Sequence, residues 1–192
     1  MKRLNVGCGR NVLPDWINLD CAARPGVDLV ADLELCATTP LPLADDSVDE
    51  FLLQHVLEHI RNPLPLMQEL HRVARPGALA VVRTPYGSSD DAWEDQTHVR
   101  PYFVGSFGYF SQPFYWRADY GYRGDWQVER IVLLIPRGRV QGLSAEAAMA
   151  LVHRERNVVA EMHAELRAVK PLRQALRELQ QAPRLEIELV DL

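Results

Sequence analysis

The sequence has few of the features that mark secreted, membrane-bound or nucleic-acid-binding proteins. Its three cysteines are odd in number and lack C-x-x-C spacing, which is typical of free thiols in a reducing cytoplasm. The apolar runs are too short to cross a bilayer, and Met1 leads straight into a predicted strand, so we expect neither a membrane segment nor a signal peptide. With 26 acidic and 21 basic residues and a net charge of −5, no general attraction to nucleic acid is expected.

The chain has enough hydrophobic residues to form the core of one folded domain. The chain has 192 residues, of which 47% are hydrophobic, and this length and composition predict a single domain with a sizeable core. Apolar runs alternate with helix-like segments as far as residue 86, which predicts an α/β fold with a doubly wound, mostly parallel sheet. The predicted strands are Arg3–Val6, Trp16–Leu19, Asp28–Ala31, Val48–Leu53, Ala78–Arg83, Val128–Ile135 and Leu185–Val190.

The character of the sequence divides this domain into three parts, 1–86, 87–127 and 128–192. The first part contains an amphipathic helix predicted over residues 63–75. The second part is irregular and holds twelve of the fifteen Phe, Tyr and Trp residues, which indicates a functional insertion rather than a linker. In the third part, residues 144–181 are predicted to be helical, with an interruption near Pro171. The apolar face of that segment predicts packing on the sheet, and homodimerisation or a lid is the alternative.

A glycine turn follows the first predicted strand. The apolar run ends in Gly7-Cys8-Gly9, and the second strand is followed by Asp20, a carboxylate able to bind the two hydroxyls of a ribose. A dinucleotide fingerprint would have a third glycine at Val12, and residues 10–15 leave no room for the long helix that binds a pyrophosphate. The pattern therefore favours S-adenosylmethionine over NAD or FAD, and an ordinary tight turn is the simpler alternative.

Six segments, in order, resemble the motifs of class I S-adenosylmethionine-dependent methyltransferases of the small type 11 kind. They cover roughly the first half of the chain. The segments are residues 4–9, 17–20, 31–33, 41–49, 54–60 and 72–77. The resemblance implies a Rossmann-like sheet of seven strands, the last antiparallel, with the cofactor across the carboxyl ends of the first strands.

The same resemblance implies a set of cofactor-binding residues. Asp20 would bind the ribose, Asp32 with Leu33 would meet the adenine, and Gln54 and His55 would face the methionine or the transferred methyl group. One departure is an asparagine at position 5, where the family often has an acidic residue that binds the amino group of the cofactor. The full set is Asn5, Gly7, Cys8, Gly9, Asp20, Cys21, Asp32, Leu33, Gln54 and His55.

The segment from His55 to His59 also matches H-x-x-E-H, the pattern of an inverted zincin. Against a zinc hydrolase, the segment follows a strand that ends at Leu53, it has no clear third ligand downstream, and it coincides with a methyltransferase motif. We therefore expect no metal site. A histidine packed at the start of a helix is the simplest interpretation of His59.

His98 and Asp95, in the aromatic insertion, are the candidate catalytic residues. A histidine in a loop over the cofactor could take a proton from the acceptor, because its ordinary pKa suits a general base near neutral pH. The simpler alternative is that His98 only caps a turn or bonds a carboxylate.

The sequence thus predicts a cytoplasmic enzyme that transfers a methyl group from S-adenosylmethionine, leaving S-adenosylhomocysteine. The partner would be a small-molecule acceptor, a sugar or a secondary metabolite, methylated on oxygen or nitrogen by direct displacement. A protein that binds the adenosyl cofactor without catalysis is the main alternative, followed by an NAD-dependent oxidoreductase or a zinc hydrolase.

Overall fold

The computed structural model describes residues 1–118 and 120–191, and eight strands within them form one sheet. The strands are β1 (Arg3–Val6), β2 (Ile17–Asp20), β3 (Leu29–Val30), β4 (Val48–Gln54), β5 (Ala74–Pro85), β6 (Trp126–Pro136), β7 (Glu161–Ala168) and β8 (Arg184–Val190). The α-helices are α1 (Pro63–Val73), α2 (Asp91–Glu94) and α3 (Ala145–Arg154). Among the described residues, no helix combines the length and apolarity that crossing a membrane would take.

The order of the strands across the sheet is β3-β2-β1-β4-β5-β7-β6-β8. Strands β1 to β5 are parallel, whereas β7 runs antiparallel to both β5 and β6, and β8 runs parallel to β6. The chain moves outward in one direction from β1 to β3 and in the other direction from β4 to β5. In open α/β sheets a ligand binds at the carboxyl ends of the strands, at the point where the strand order reverses. A ligand is therefore expected at the carboxyl ends of β1 and β4.

The predicted α/β class and the mostly parallel sheet are confirmed, and α1 occupies the place predicted for it. Proline at the first position of α1 needs no hydrogen-bond acceptor and has a backbone angle suited to a helix. Leu66, Met67 and Leu70 are fully buried on one face of α1. The indole N–H of Trp126 donates to the carbonyl of Met67 at 2.9 Å, which joins α1 to β6.

The predicted helix over residues 144–181 is wrong beyond Arg154, where α3 ends. Residues 161–168 form β7, in which polar and apolar side chains alternate and every second residue is buried. A period of two is the pattern of a strand with one buried face. The antiparallel strand of the sheet is therefore β7 and not the last strand, and the sheet has eight strands instead of seven. The continuous helix on which the dimer or lid hypothesis depended is not formed.

The opposite face of β7 carries charged side chains. Arg130 on β6 pairs with Glu165 on β7 and, at 3.0 Å, with Glu186 on β8. Arg167 pairs with Glu129 at 2.8 Å. These partly exposed pairs cross from strand to strand, so the apolar core lies mainly on the face that carries α1 and the insertion.

The insertion folds against the same face as α1. Short 3₁₀ helices at Val104–Phe110 and Gln112–Tyr115 shape it, and the side chains of Tyr102 and Phe107 stack with ring centroids 5.5 Å apart. Six of its aromatic residues are buried and help to form the core: Tyr102, Phe107, Phe110, Tyr115, Tyr122 and Trp126. The insertion is thus an ordered part of the domain that lies between β5 and β6 in the chain.

Candidate cofactor and acceptor site

The turn after β1 has the backbone conformation that glycine favours. Gly7 and Gly9 have φ angles of +63° and +54°, in the left-handed region where other residues are strained. The N–H of Cys8 donates to the carbonyl of Leu19 at 2.9 Å, which holds the turn beside the end of β2. A β-carbon added to Gly9 would meet no atom within 4 Å, whereas one added to Gly7 would lie 2.7 Å from Val56. There is therefore open space above Gly9.

Asp20, at the end of β2, accepts two backbone hydrogen bonds. The N–H of Gly9 donates to Oδ2 at 2.8 Å, and the N–H of Ala22 donates to Oδ1 at 3.0 Å. Burial alone would raise the pKa of Asp20, but these hydrogen bonds and one from the Cys21 thiol outweigh it, so the pKa lies below the usual value. An ionised carboxylate has about four acceptor positions, so Asp20 retains capacity for a sugar hydroxyl next to the glycine turn.

Asn5 maintains the shape of the same loop. Its side chain is 2% exposed, and its amide nitrogen donates to the carbonyl of Asn11 at 2.7 Å and to Oδ1 of Asn18 at 2.9 Å. Asn18 in turn contacts the backbone of Leu13 through both its amide nitrogen and its oxygen. The asparagine at position 5 thus supports the loop from Gly7 to β2, and its N–H groups are committed to protein acceptors.

Asp32 and Leu33 lie at the carboxyl end of β3, close to Asp20. The N–H of Ala31 donates to the carbonyl of Asp20 at 3.0 Å. The Asp32 side chain caps a 3₁₀ helix by accepting the N–H of Glu34 at 3.0 Å, and Leu33 is buried. The structure therefore brings the residues proposed for ribose and adenine to one edge of the sheet.

Gln54 and His55 follow at the end of β4. The Asn11 amide donates to Oε1 of Gln54 at 3.3 Å, which connects the glycine loop to β4 across the switch point. His55 has a φ angle of +52°, and its ring lies between two carboxylates, with Nε2 3.4 Å from Glu161 and Nδ1 3.2 Å from Glu58. Hydrogen bonds with Glu161 and then Glu58 raise the pKa of His55 to about 10. At neutral pH His55 is an imidazolium.

A cavity of about 230 Å³ adjoins His55. Asp91 and Glu161 are among its lining residues, and hydrogen bonds from His163 and His55 lower the pKa of Glu161 to about 2. The walls of the cavity are mainly apolar, and three charged side chains interrupt them, two acidic and one basic. Its lining residues are His55, Pro85, Asp91, Leu134, Ala160, Glu161 and Val190. A larger cavity of about 560 Å³, between the start of α1 and the insertion, includes no residue of the glycine turn.

His98 and Asp95 have a different setting from the one that a general base over the cofactor needs. The His98 side chain is 8% exposed, its ring packs edge-on against His59 with centroids 4.7 Å apart, and Nε2 lies 3.9 Å from Asp95. Neither residue lines the cavity at His55. Two hydrogen bonds from Thr97 dominate the surroundings of Asp95 and lower its pKa.

The comparisons with known proteins agree with this geometry. Residues 4–82 match the sequence model of the family described as a methyltransferase domain. An uncharacterized methyltransferase from Mycolicibacterium vanbaalenii is 41% identical over 71 residues, which cover 37% of this chain and 28% of the relative. A methyltransferase from Archaeoglobus fulgidus, dependent on S-adenosylmethionine, has a similar fold, with a TM-score of 0.58 at 14% identity over 86% of both chains.

Residues 4–82 are thus similar to methyltransferase domains, and the sheet has the fold of the Archaeoglobus fulgidus structure. The chain spans little more than a quarter of the length of that curated relative. The cyclase SpnF also has this fold, with a TM-score of 0.55 and 14% identity over 88% of this chain and 75% of that one. The fold thus occurs with more than one chemistry.

The residues at the carboxyl ends of β1, β2 and β4 fit S-adenosylmethionine, the cofactor on which the similar structure from Archaeoglobus fulgidus depends. The space above Gly9 is open, and the ionised Asp20 lies beside it. Residues 7–16, between β1 and β2, contain no helix whose N-terminus could bind a pyrophosphate. The predicted residues other than Asn5 lie at or just after the carboxyl ends of β1 to β4, at one edge of the sheet: Gly7, Cys8, Gly9, Asp20, Cys21, Asp32, Leu33, Gln54 and His55.

Sequence reasoning did not find Glu161, and it did not place Asp91 beside His55. Glu161 reaches His55 because β7 runs antiparallel, so its first residue lies at the same edge of the sheet as the last residue of β4. The alternation of residues 161–168 was the available signal for that strand. Asp91 begins α2, directly after the turn that follows β5.

Proposed function

We propose that the chain is an S-adenosylmethionine-dependent methyltransferase that methylates an oxygen or nitrogen of a small molecule. The observation that carries this proposal is the pairing of Gly9 with Asp20 beside open space, at the switch point of the sheet. The cavity at His55, whose lining includes Asp91 and Glu161, lies at the same edge. The bound cofactor supplies a methyl group on a sulfonium, which is already a good electrophile.

The contribution of the protein is then mainly alignment and exclusion of water. Asp20 holds the ribose, and Gly7 and Gly9 allow the backbone to approach it. His55 is charged at neutral pH, so it donates hydrogen bonds and does not accept a proton from the acceptor. Asp91 and Glu161 favour an acceptor with a positive charge or several hydroxyl groups, such as an amine or a sugar.

We extend the proposal to location and partners. A cytoplasmic enzyme agrees with three free cysteines, of which Cys21 is exposed and Cys8 is buried. A small-molecule acceptor agrees better than nucleic acid with a net charge of −5. Homodimerisation has no support from a C-terminal helix, because Glu161–Ala168 is a strand inside the sheet.

The decisive experiment is incubation of the purified chain with methyl-labelled S-adenosylmethionine and a cell extract, followed by mass spectrometry of labelled products. We expect one labelled small molecule and an equal amount of S-adenosylhomocysteine. The matched control is Asp20→Asn, which keeps the size of the side chain and removes its charge, and should lose most of the product. Cofactor binding without transfer to any metabolite would instead support a non-catalytic binding protein, and binding of NADH would support an oxidoreductase.

A further inference from the structure

Three potential metal ligands lie close together, and one of them, Glu58, contacts His55. Glu58 and His59 lie in the 3₁₀ helix Leu57–His59 directly after β4, and His98 lies in the insertion. One ligand atom from each of the three side chains lies within 4.8 Å of the other two. The cluster takes Glu58 and His59 from the H-x-x-E-H segment, adds His98 from the insertion and leaves out His55.

Glu58 has one oxygen in use and one without a partner. Its Oε1 lies 3.2 Å from Nδ1 of His55, whereas Oε2 is buried and accepts no hydrogen bond. The residue is 2% exposed, so water does not solvate this oxygen freely. A buried carboxylate oxygen without a partner is costly, and a cation at this point would offset that cost.

His59 is held in the tautomer that a metal ion requires. The hydroxyl of Thr97 donates to Asp95 at 2.6 Å, so Thr97 Oγ1 can only accept from Nδ1 of His59, at 3.0 Å. The carbonyl of Thr97 lies 3.3 Å from the same nitrogen. Nδ1 of His59 therefore carries the proton, and Nε2 keeps its lone pair. Metal-binding histidines commonly donate their other N–H to a protein oxygen in this way.

His98 contributes a buried ring nitrogen from the insertion. Its Nδ1 is buried and has no hydrogen-bond partner, although the side chain is only 8% exposed. Its Nε2 faces Asp95 at 3.9 Å. Glu58 and His98 thus each have a buried polar atom without a partner, and Thr97 orients the ring of His59.

We propose that Glu58, His59 and His98 bind a divalent transition-metal ion of the zinc type. Two imidazoles and one carboxylate are a ligand set that zinc takes in proteins, with a fourth position left for water. The N–H groups of Val99 and Arg100 both donate to the carbonyl of Glu58, at 2.8 and 3.2 Å. The ion would therefore fasten the insertion to the end of β4, beside the acceptor cavity. This site goes beyond the proposed methyl transfer and does not depend on it.

The test uses the full chain without an affinity tag, with the exposed thiol removed by Cys21→Ser in every sample. After treatment with a chelator, the protein is titrated with Zn²⁺ in competition with a chromophoric chelator. We expect one ion per chain. His98→Ala and Glu58→Gln should each weaken binding by at least about 100-fold, because the loss of a ligand exceeds the loss of a supporting contact. His153→Ala, at an exposed position of α3, is the control and should bind as the parent does.

A second variant shows direct ligation and guards against loss of folding. His98→Cys keeps a ligand at this position, and with Co²⁺ it should add a near-ultraviolet thiolate-to-cobalt absorption that the parent lacks. Circular dichroism checks that each variant is folded. The proposal is overturned if the parent binds no stoichiometric ion, or if both His98→Ala and Glu58→Gln bind Zn²⁺ as tightly as the parent. None of these measurements uses methyl transfer, so failure of the proposed function and failure of the metal site are distinguishable.

Discussion

Three glycines offer a graded test of the cofactor site. Gly9 and Gly77 have φ angles of +54° and +79°, and a β-carbon added to either would meet no atom within 4 Å. Gly7 has a φ angle of +63°, but its added β-carbon would lie 2.7 Å from Val56. The substitutions Gly9→Ala and Gly77→Ala therefore impose the same backbone strain in open space, and only Gly9 lies at the proposed ligand.

The expected costs follow from these contacts. A β-carbon in the left-handed region costs about 1–2 kcal/mol, so Gly9→Ala and Gly77→Ala should each lower the melting temperature by about 2–8 °C. Gly7→Ala adds the overlap with Val56, worth about 1–3 kcal/mol, and should be the least stable of the three. In Gly9→Ala the new methyl group occupies the space above the turn, and the affinity for S-adenosylmethionine should fall at least about 10-fold, or roughly 1.4 kcal/mol.

Isothermal titration calorimetry with S-adenosylmethionine and thermal unfolding without ligand separate the two effects. Gly77→Ala should bind the cofactor as the parent does, because it bears strain without lying at the site. If Gly9→Ala also binds with parental affinity, the cofactor does not occupy the space above the turn, and the assignment of the Gly7-Cys8-Gly9 segment is refuted.

Three further predictions concern stability and turnover. Burial lowers the pKa of His71, so the stability that depends on its neutral form is present above pH 6.5 and is lost as the pH falls below 6.5. In urea unfolding, the free energy of unfolding of His71→Gln should therefore fall less on acidification than that of the parent. An equal fall would contradict this. Arg173 donates to both oxygens of the fully buried Asp125, at 2.9 and 2.7 Å. Arg173→Met leaves that carboxylate without its partner and should lower the free energy of unfolding by about 3 kcal/mol. The control Arg137→Met, at an exposed ion pair, should lower it by no more than about 0.5 kcal/mol. His98 lies outside the cavity at His55, so the pH dependence of turnover should be the same in His98→Ala as in the parent, and loss of a titration step from the pH–rate profile would instead identify His98 as the general base.

The residues of the proposed cofactor site were predictable because they lie close together in the sequence. Gly7, Gly9 and Asp20 lie within fourteen residues of each other, and the short link between β1 and β2 already argued against a pyrophosphate. The backbone angles of the turn and the hydrogen bond from Gly9 to Asp20 agree with that reasoning. The strands of the first half were found for the same reason, since their apolar runs are short and bounded by turn residues.

The strand β7 and the cavity at His55 could not be predicted in the same way. Met162 and Leu166 are four residues apart, a spacing that fits both a helix face and one face of a strand, and the alanines between and after them favour a helix by propensity. Only the polar residues between them, such as His163 and Glu165, indicate the period of two. His55 and Glu161 are more than one hundred positions apart, so their contact follows from the topology of the sheet and from no local pattern.

The position of β7 between β5 and β6 also determines when the acceptor site can form during folding. Both neighbours of β7 precede it in the chain, so β7 must insert between two strands that have already been synthesised. Such long-range pairing is intrinsically slow, because loop closure costs entropy before the contacts form. The pocket at His55 is therefore expected to be completed late, after the glycine turn and Asp20, whose contacts are short in sequence. Until then the edges of β5 and β6 remain unpaired, and in this period the chain is most exposed to aggregation.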